Sequence, residues 1–275
     1  MSKFWILRTL RRIKFLKNRR IDLELEVNGK KFTVPLIAEI GFHNYKMKEF
    51  WMLDLFKMIQ PSETDILLDV GANTGQTLLK WKSVNVNAPY YGLEPIPQCV
   101  EYLNELATSN KFNNTHIIQK ALFNEDGPKE LFYHFEDETD RTASLVKTHY
   151  KEKKSETVEC ILFEQFLEEY SVSKQDIKVV KIDVEGGELE VLQNLLSFLK
   201  SDKPIVILEV RTYSPKVNTQ RLNALQNLLN DLPHQLYHIK KKGMNFNGLD
   251  KIDKIEVPTP KGLSDYILIP PGIQL

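Results

Sequence analysis

"LLDVGANTGQTLL" (residues 67–79) decides how this chain folds. An apolar run carrying one acid leads into a turn with two glycines, and an apolar pattern at helical spacing follows. A strand, a glycine-rich turn and a helix start, in that order, make a corner suited to anions and nucleosides. The helix N-terminus offers free N–H groups and the positive end of its dipole. Gly71 and Gly75 let the backbone turn tightly and let a ligand come close. On a parallel sheet this corner lies at the carboxyl ends of the strands, where ligands bind.

The chain around this stretch alternates. "DILLDV" (65–70), "PYYGLEP" (89–95), "THIIQKALF" (115–123), "KVVKIDV" (178–184) and "PIVILEV" (204–210) read as strands. "GQTLLKWKSV" (75–84), "PQCVEYLNELATSN" (97–110), "CILFEQFLEEY" (160–170), "ELEVLQNLLSFLK" (188–200) and "NTQRLNALQNLLNDL" (218–232) read as helices. Such alternation calls for a parallel sheet covered on both faces. Residues 124–156 are polar and read as a strand-and-loop insertion. The tail supplies two more strands, "HQLYHIKKKG" (234–243) and "LSDYILIPP" (263–271), joined by a long polar loop. No helix separates them, so they should pair antiparallel at one edge. Upstream, "IDLELEVNGKKFTVPLIA" (21–38) alternates on both sides of Asn-Gly and predicts a hairpin. "YKMKEFWMLDLFKMI" (45–59) predicts a helix that stops before Pro61. The expected organisation is one doubly wound α/β domain over 61–275, with 1–60 as an N-terminal extension (basic helix, hairpin, helix) packed on it.

The chain has 275 residues, with Lys+Arg and Asp+Glu both 37. Zero net charge argues against nucleic acid as a partner, since that affinity rests on excess positive charge. Cys99 and Cys160 lie far apart, with no second ligand nearby, so neither a zinc site nor a disulfide framework is readable. A reducing cytoplasmic compartment is the simplest fit. Residues 1–20 hold eight Lys/Arg and no acid, interleaved with Phe4, Trp5, Leu7, Ile13, Phe15 and Leu16. The apolar part is too short and interrupted for a secretory signal or a membrane span. Two readings stay open: a basic helix lying on an anionic membrane surface, or a locally packed helix with a solvated basic face.

The ligand of the glycine turn follows by elimination. A P-loop needs Lys-Ser/Thr after its last glycine, and Gln76-Thr77 stand there. The dinucleotide fingerprint needs glycines where Asn73 and Gln76 stand. What remains is Asp69, Gly71, Asn73 and Gly75. Glu94 closes the next strand at the distance expected of an acid that accepts from both ribose hydroxyls. No place for a pyrophosphate is evident, and an acidic turn suits a nucleoside with a cationic sulfonium and an amino-acid tail. That ligand is S-adenosylmethionine.

These stretches resemble the FkbM methyltransferases, a class I S-adenosylmethionine-dependent family. The likeness is carried by "LLDVGANTG" (67–75), "YYGLEPIPQCVEYL" (90–103), "ALFNEDG" (121–127), "KIDVEGGELEVLQ" (181–193) and "PIVILEV" (204–210), in the family's order and spacing. It covers about 65–211 well and the tail loosely. It implies a mostly parallel seven-stranded, Rossmann-like sheet with an antiparallel edge strand. It implies that Asp69, Gly71, Ala72, Asn73 and Gly75 shape the cofactor turn, that Glu94 holds the ribose, and that Ala121 and Leu122 lie along the adenine. Asp183 and Glu185 would face methyl donor and acceptor. Family members methylate hydroxyl oxygens, often on sugars or polyketide products. The implied acceptor here is a sugar hydroxyl of a glycan or glycolipid; a lipid-linked acceptor would suit a membrane-bound basic N-terminus.

Methyl transfer from a sulfonium is an in-line displacement: the enzyme must align the acceptor oxygen and remove its proton. By the period of two, "KIDVEGGE" puts Lys181, Asp183 and Glu185 on one side of the fourth strand. Ionisable residues there are hard to explain by packing. In one mechanism Asp183 or Glu185 is the base, its pKa lifted by neighbouring carboxylates. In the other Asp183 and Glu209 bind Mg²⁺; no Asp-Asn pair follows the fifth strand, so base catalysis is preferred. Lys181 pairs with one of the acids or lowers the acceptor's pKa. His43 and His149 are reserve bases, and Arg141 and Ser144 of "DRTASLV" (140–146) are candidate contacts in a loop over the cofactor. Two rival readings remain. An NAD(P)-dependent sugar oxidoreductase is disfavoured by the missing glycines. A degenerate methyltransferase fold that only binds is disfavoured by the presence of Asp69, Gly71, Glu94 and Asp183.

Overall fold

The computed structural model describes residues 20–37, 40–135, 140, 142–147, 152–211, 219–255 and 263–275. The basic segment 1–19 lies outside the described residues, as do Arg141 and His149. Among the described residues no helix is long and apolar enough to cross a membrane.

The chain opens with the hairpin β1 (Arg20–Val27) and β2 (Lys30–Ile37), paired antiparallel. Asn28 and Gly29 both take positive φ, 52° and 71°, as a two-residue turn matched to strand twist requires. Helix α1 (Phe42–Tyr45) is one turn and α2 (Phe50–Ile59) is longer. The sequence predicts one helix over 45–59, but the chain breaks between them. The alternating part follows as β3 (Ile66–Val70), α3 (Gln76–Val84), β4 (Tyr90–Leu93), α4 (Pro97–Ser109) and β5 (Thr115–Ile118). Then come β6 (Ala121–Leu122), β7 (Gly127–Tyr133), β8 (Lys154–Ile161) and α5 (Phe163–Glu169). The chain closes with β9 (Ile177–Ile182), α6 (Glu188–Ser201), β10 (Ile205–Arg211), α7 (Thr219–Asn230), β11 (Gln235–Lys242), β12 (Asn245–Lys251) and β13 (Leu263–Ile269).

The main sheet has eight strands in the order β12-β11-β13-β10-β9-β3-β4-β5. The central run β10-β9-β3-β4-β5 is parallel. The two tail strands do pair antiparallel, but β13 inserts between β10 and β11, and the polar loop contributes an eighth strand, β12, at the edge. The small sheet β6-β8-β7 accounts for the insertion. The expected strand 115–123 therefore divides, β5 joining the large sheet and β6 the small one. Cys160 and Ile161, read as the start of a helix, instead end β8.

Alternation along the central strands builds two cores. Leu68, Val70, Val180, Ile182, Val206 and Leu208 face one layer, with Phe163, Phe166, Leu192 and Leu195 from α5 and α6. Leu67, Val179, Ile205 and Ile207 face the other, with Trp51, Phe56, Leu78, Trp81 and Leu103 from α2, α3 and α4. Strands buried on both faces read as continuous apolar runs. Asp69 on β3 and Lys181 on β9 interrupt those runs, and they are register partners.

Candidate active site

The chain leaves β3 for β4 on one side, while β9 returns on the other. Ligands in doubly wound sheets bind outside the carboxyl ends at such a switch in direction. A cavity of about 390 Å³ occupies that place, within the range of small-ligand sites.

The glycine turn forms one wall. Gly71 and Ala72 donate to the Leu93 carbonyl at 3.0 and 3.1 Å. Gly71 has φ 85°, and a Cβ there would meet the Asp183 carbonyl oxygen at 1.9 Å. Only glycine fits such a position. Gly75 has φ 86° and immediately precedes α3; a Cβ there would press on Leu103 and Leu106. Between the two glycines, Asn73 takes the left-handed region at φ 46°. Glu94, 4% exposed, accepts the Asn73 N–H at 2.8 Å and the Ile96 N–H at 3.0 Å. Burial pushes its pKa up to about 7 against those donors. Each carboxylate oxygen keeps acceptor capacity for a ligand hydroxyl, and Glu94 lines the cavity.

Asp69 departs from its expected place. It is fully buried and does not line the cavity. Its carboxylate accepts from Tyr90 Oη at 2.6 Å and pairs with Lys181 Nζ at 3.1 Å, so it anchors the turn from behind. Lys181 also reaches Asp183 at 3.2 Å and the Gly71 carbonyl at 3.3 Å. Burial opposes the lysine's charge, but Asp183 and Asp69 outweigh it and hold its pKa above the ordinary range. With three acceptors for three donors, Lys181 ties β3, the turn and Asp183 together and has no donor left for an acceptor molecule.

The wall expected to lie along an adenine is apolar. Ala121 and Leu122 line the cavity with Phe123, Ala143 and Leu145. Asp140 knots the 140–147 loop: its carboxylate accepts from the main chains of His134, Phe135 and Thr142 and from the Thr142 hydroxyl. Ser144 does not reach the cavity. Its main chain pairs with Phe132, and its hydroxyl accepts the Val146 N–H at 3.1 Å. His43 does not line the cavity either; its carbonyl accepts from Gln76 at 3.2 Å.

Strand β9 ends at Ile182, two residues earlier than the alternation predicts. Asp183 still adds a rung, donating its N–H to Val70 at 3.0 Å, and Glu185 sits in the turn with φ 56°. Glu188 accepts the Gly186 N–H at 2.8 Å. Arg221 donates to the Gly186 carbonyl at 3.0 Å and to both oxygens of Glu190 at 2.6 Å. So held, one carboxylate oxygen each from Asp183, Glu185 and Glu209 lie within 4.8 Å of one another. Glu209 is the member whose pKa stands well above the ordinary carboxylate range, through burial first and then the charges of Asp183 and Glu185.

The Methyltransferase FkbM domain model matches residues 69–239, more than half of the chain. The chain belongs to the FkbM methyltransferase family. It is 27% identical over 205 residues to the hexuronic acid methyltransferase AglP of Haloferax volcanii, covering 69% of this chain and 80% of that one. Among solved structures it is similar to methyltransferase FkbM from Methylobacillus flagellatus KT, with a TM-score of 0.47 and 11% identity over 75% of this chain. The match spans 44% of that longer chain. A SAM-dependent O-methyltransferase from Thermotoga maritima is similar with a TM-score of 0.44 and 11% identity, over 94% of this chain and 88% of that one.

Within this FkbM domain and the segment before it, sequence reasoning missed Asn44, Lys48, Glu49, Asp140 and Arg221. Fully buried Asn44 bonds the carbonyl and hydroxyl of Thr74. Lys48 and Glu49 line the cavity. The partners of Asn44, Lys48, Glu49 and Arg221 lie tens of residues away, so no local pattern marks them; those of Asp140 are local, in the loop it closes.

Proposed function

We propose that this FkbM methyltransferase uses S-adenosylmethionine to methylate a hydroxyl oxygen, and that its acceptor is a sugar of a glycan or glycolipid. One observation carries the reading: the glycine turn, Glu94 and the three carboxylates Asp183, Glu185 and Glu209 all line one cavity. The hexuronic acid methyltransferase relative supports a sugar acceptor.

The residues present fit that cofactor. At Gly71 and Gly75 the backbone forms a cradle that a Cβ would fill, and Glu94 offers a buried carboxylate to a ribose. When bound, the cofactor supplies an electrophilic methyl group on a sulfonium. The chain's residues do the rest. Glu94 orients the nucleoside, and Leu122, Phe123 and Leu145 exclude water from its base. Lys181 fixes Asp183 against the turn. The carboxylate cluster takes the hydroxyl proton: Asp183 or Glu185 is the base, and Glu209, whose carboxyl burial and its acidic neighbours hold well above the ordinary range, is the group beside them that most readily keeps a proton. The same three oxygens have a spacing that Mg²⁺ would accept, so EDTA belongs in the test.

The test is transfer of labelled methyl from S-adenosylmethionine to a panel of neutral hexosides, hexuronides and lipid-linked sugars, with Mg²⁺ and with EDTA. The expected product is an ether that survives mild alkali. A label released by alkali would mark a methyl ester and overturn the hydroxyl assignment. Activity lost with EDTA would move the three carboxylates from base to metal ligands.

A further inference from the structure

Helical periodicity runs unbroken through residues 45–59, yet the chain leaves helical geometry after Tyr45 and resumes it at Phe50. Glu49, at the break, has φ 56°, a strained region for a residue with a side chain. Departures from a sound local pattern concentrate at functional sites. This one is built in. Gln76, the first residue of α3, donates to the His43 carbonyl and accepts the Lys48 N–H, both at 3.2 Å. Asn44 grips Thr74 beside it. The break therefore sits against the glycine turn, and Lys48 and Glu49 line the cavity there.

Glu49 pairs with fully buried Lys80 at 3.3 Å. Burial works against its charge, but Lys80, Lys181 and Lys241 prevail and hold its pKa below the ordinary range. The cavity wall thus carries a basic and an acidic residue in succession beside the N-terminus of α3. Neither is used by the ribose, adenine or proton-transfer assignments. An α-amino acid carries both charges on one carbon, and a site for it must answer both.

We propose that Lys48 and Glu49 form the subsite for the amino-acid end of the cofactor, Lys48 facing its carboxylate and Glu49 its ammonium. This rests on the reading of the cavity as an S-adenosylmethionine site. The positive end of α3 adds to the attraction for the carboxylate.

S-adenosylhomocysteine and 5′-methylthioadenosine share the nucleoside and the thioether, and only the first has the amino-acid tail. Calorimetric titration of the full chain with each, for wild type, Glu49→Gln and Lys48→Gln, tests the subsite. Wild type should prefer S-adenosylhomocysteine by tenfold or more. Each substitution should weaken that ligand by about tenfold, as loss of a charge-assisted hydrogen bond does, and leave methylthioadenosine binding unchanged. Unchanged methylthioadenosine binding also shows that the nucleoside site is folded; should Glu49→Gln lose it by stranding Lys80, Lys48→Gln decides. Equal affinity of wild type for the two ligands, or a Lys48→Gln that weakens both or neither, would overturn the subsite. Wild type binding neither ligand would overturn the cofactor reading and this inference with it.

Discussion

Gly71 and Asp183 meet through bare backbone: a Cβ on Gly71 would stand 1.9 Å from the Asp183 carbonyl oxygen. The glycine turn after β3 and the end of β9 are thereby pressed together. On the proposed function, a nucleoside held by the turn would be presented to the carboxylates beyond β9, the alignment that an in-line displacement demands.

Gly71→Ala should therefore damage both fold and binding. The new Cβ meets backbone, which cannot swing away, and φ 85° is strained for alanine. A loss of at least about 2 kcal/mol is expected. Urea denaturation checks it, and an unchanged midpoint with unchanged S-adenosylhomocysteine affinity would contradict the contact.

Lys181→Met should cost about 3–5 kcal/mol, because it leaves fully buried Asp69 without its cation, and it also unpairs the partly exposed Asp183. The pH sign follows from the raised pKa of Lys181. A base whose folded pKa exceeds its unfolded value contributes stability that is full below the unfolded value, about 10.5, and lost as pH rises through the folded one. Wild type should thus keep this contribution through neutral pH and lose it only in strong alkali. Denaturation midpoints from pH 7 to 11 should fall for wild type at the alkaline end and fall less for the variant.

Glu94 should make cofactor binding depend on pH. Its pKa stands at about 7 through burial, and ribose hydroxyls donate best to the ionised form. Affinity for S-adenosylhomocysteine should rise from pH 6 to 8 and level off above, with proton release near pH 6. Glu94→Gln should flatten the curve. In the free protein the sign is opposite. An acid whose folded pKa is raised holds a proton that the unfolded chain has lost, so stability falls as pH rises from about 4.5 to 7. Glu188, also raised to about 7 by burial, adds to that slope.

Much of this was legible from local pattern. The strand–turn–helix at 67–79 was legible because glycine spacing and apolar runs are local signals, and Glu94 was placed at the next strand end, where it lines the same cavity. Asp69 was legible as an acid but not as an anchor, since its partners Tyr90 and Lys181 come from neighbouring strands. The break before Phe50 was not legible, because what enforces it is Gln76 of another helix. Strand β12 was hidden by its polarity: at a sheet edge it needs no apolar run. The position of β13 was hidden because pairing order is a tertiary choice.

Asn44→Ala tests whether the segment before α2 supports the turn. Asn44 is fully buried and holds the Thr74 carbonyl. Its loss leaves that carbonyl unpaired, at a cost of about 1–3 kcal/mol, and should weaken S-adenosylhomocysteine binding as the turn loosens. Full affinity in the variant would separate the segment from the cofactor site.

The most direct measurement is a calorimetric titration of wild type and Glu94→Ala with S-adenosylhomocysteine, in Mg²⁺ and again in EDTA. One-site micromolar binding by wild type in both buffers is expected, weakened at least tenfold in a folded Glu94→Ala, as removal of a charged hydrogen-bond acceptor requires. No binding by folded wild type, or binding indifferent to Glu94→Ala, would contradict the account.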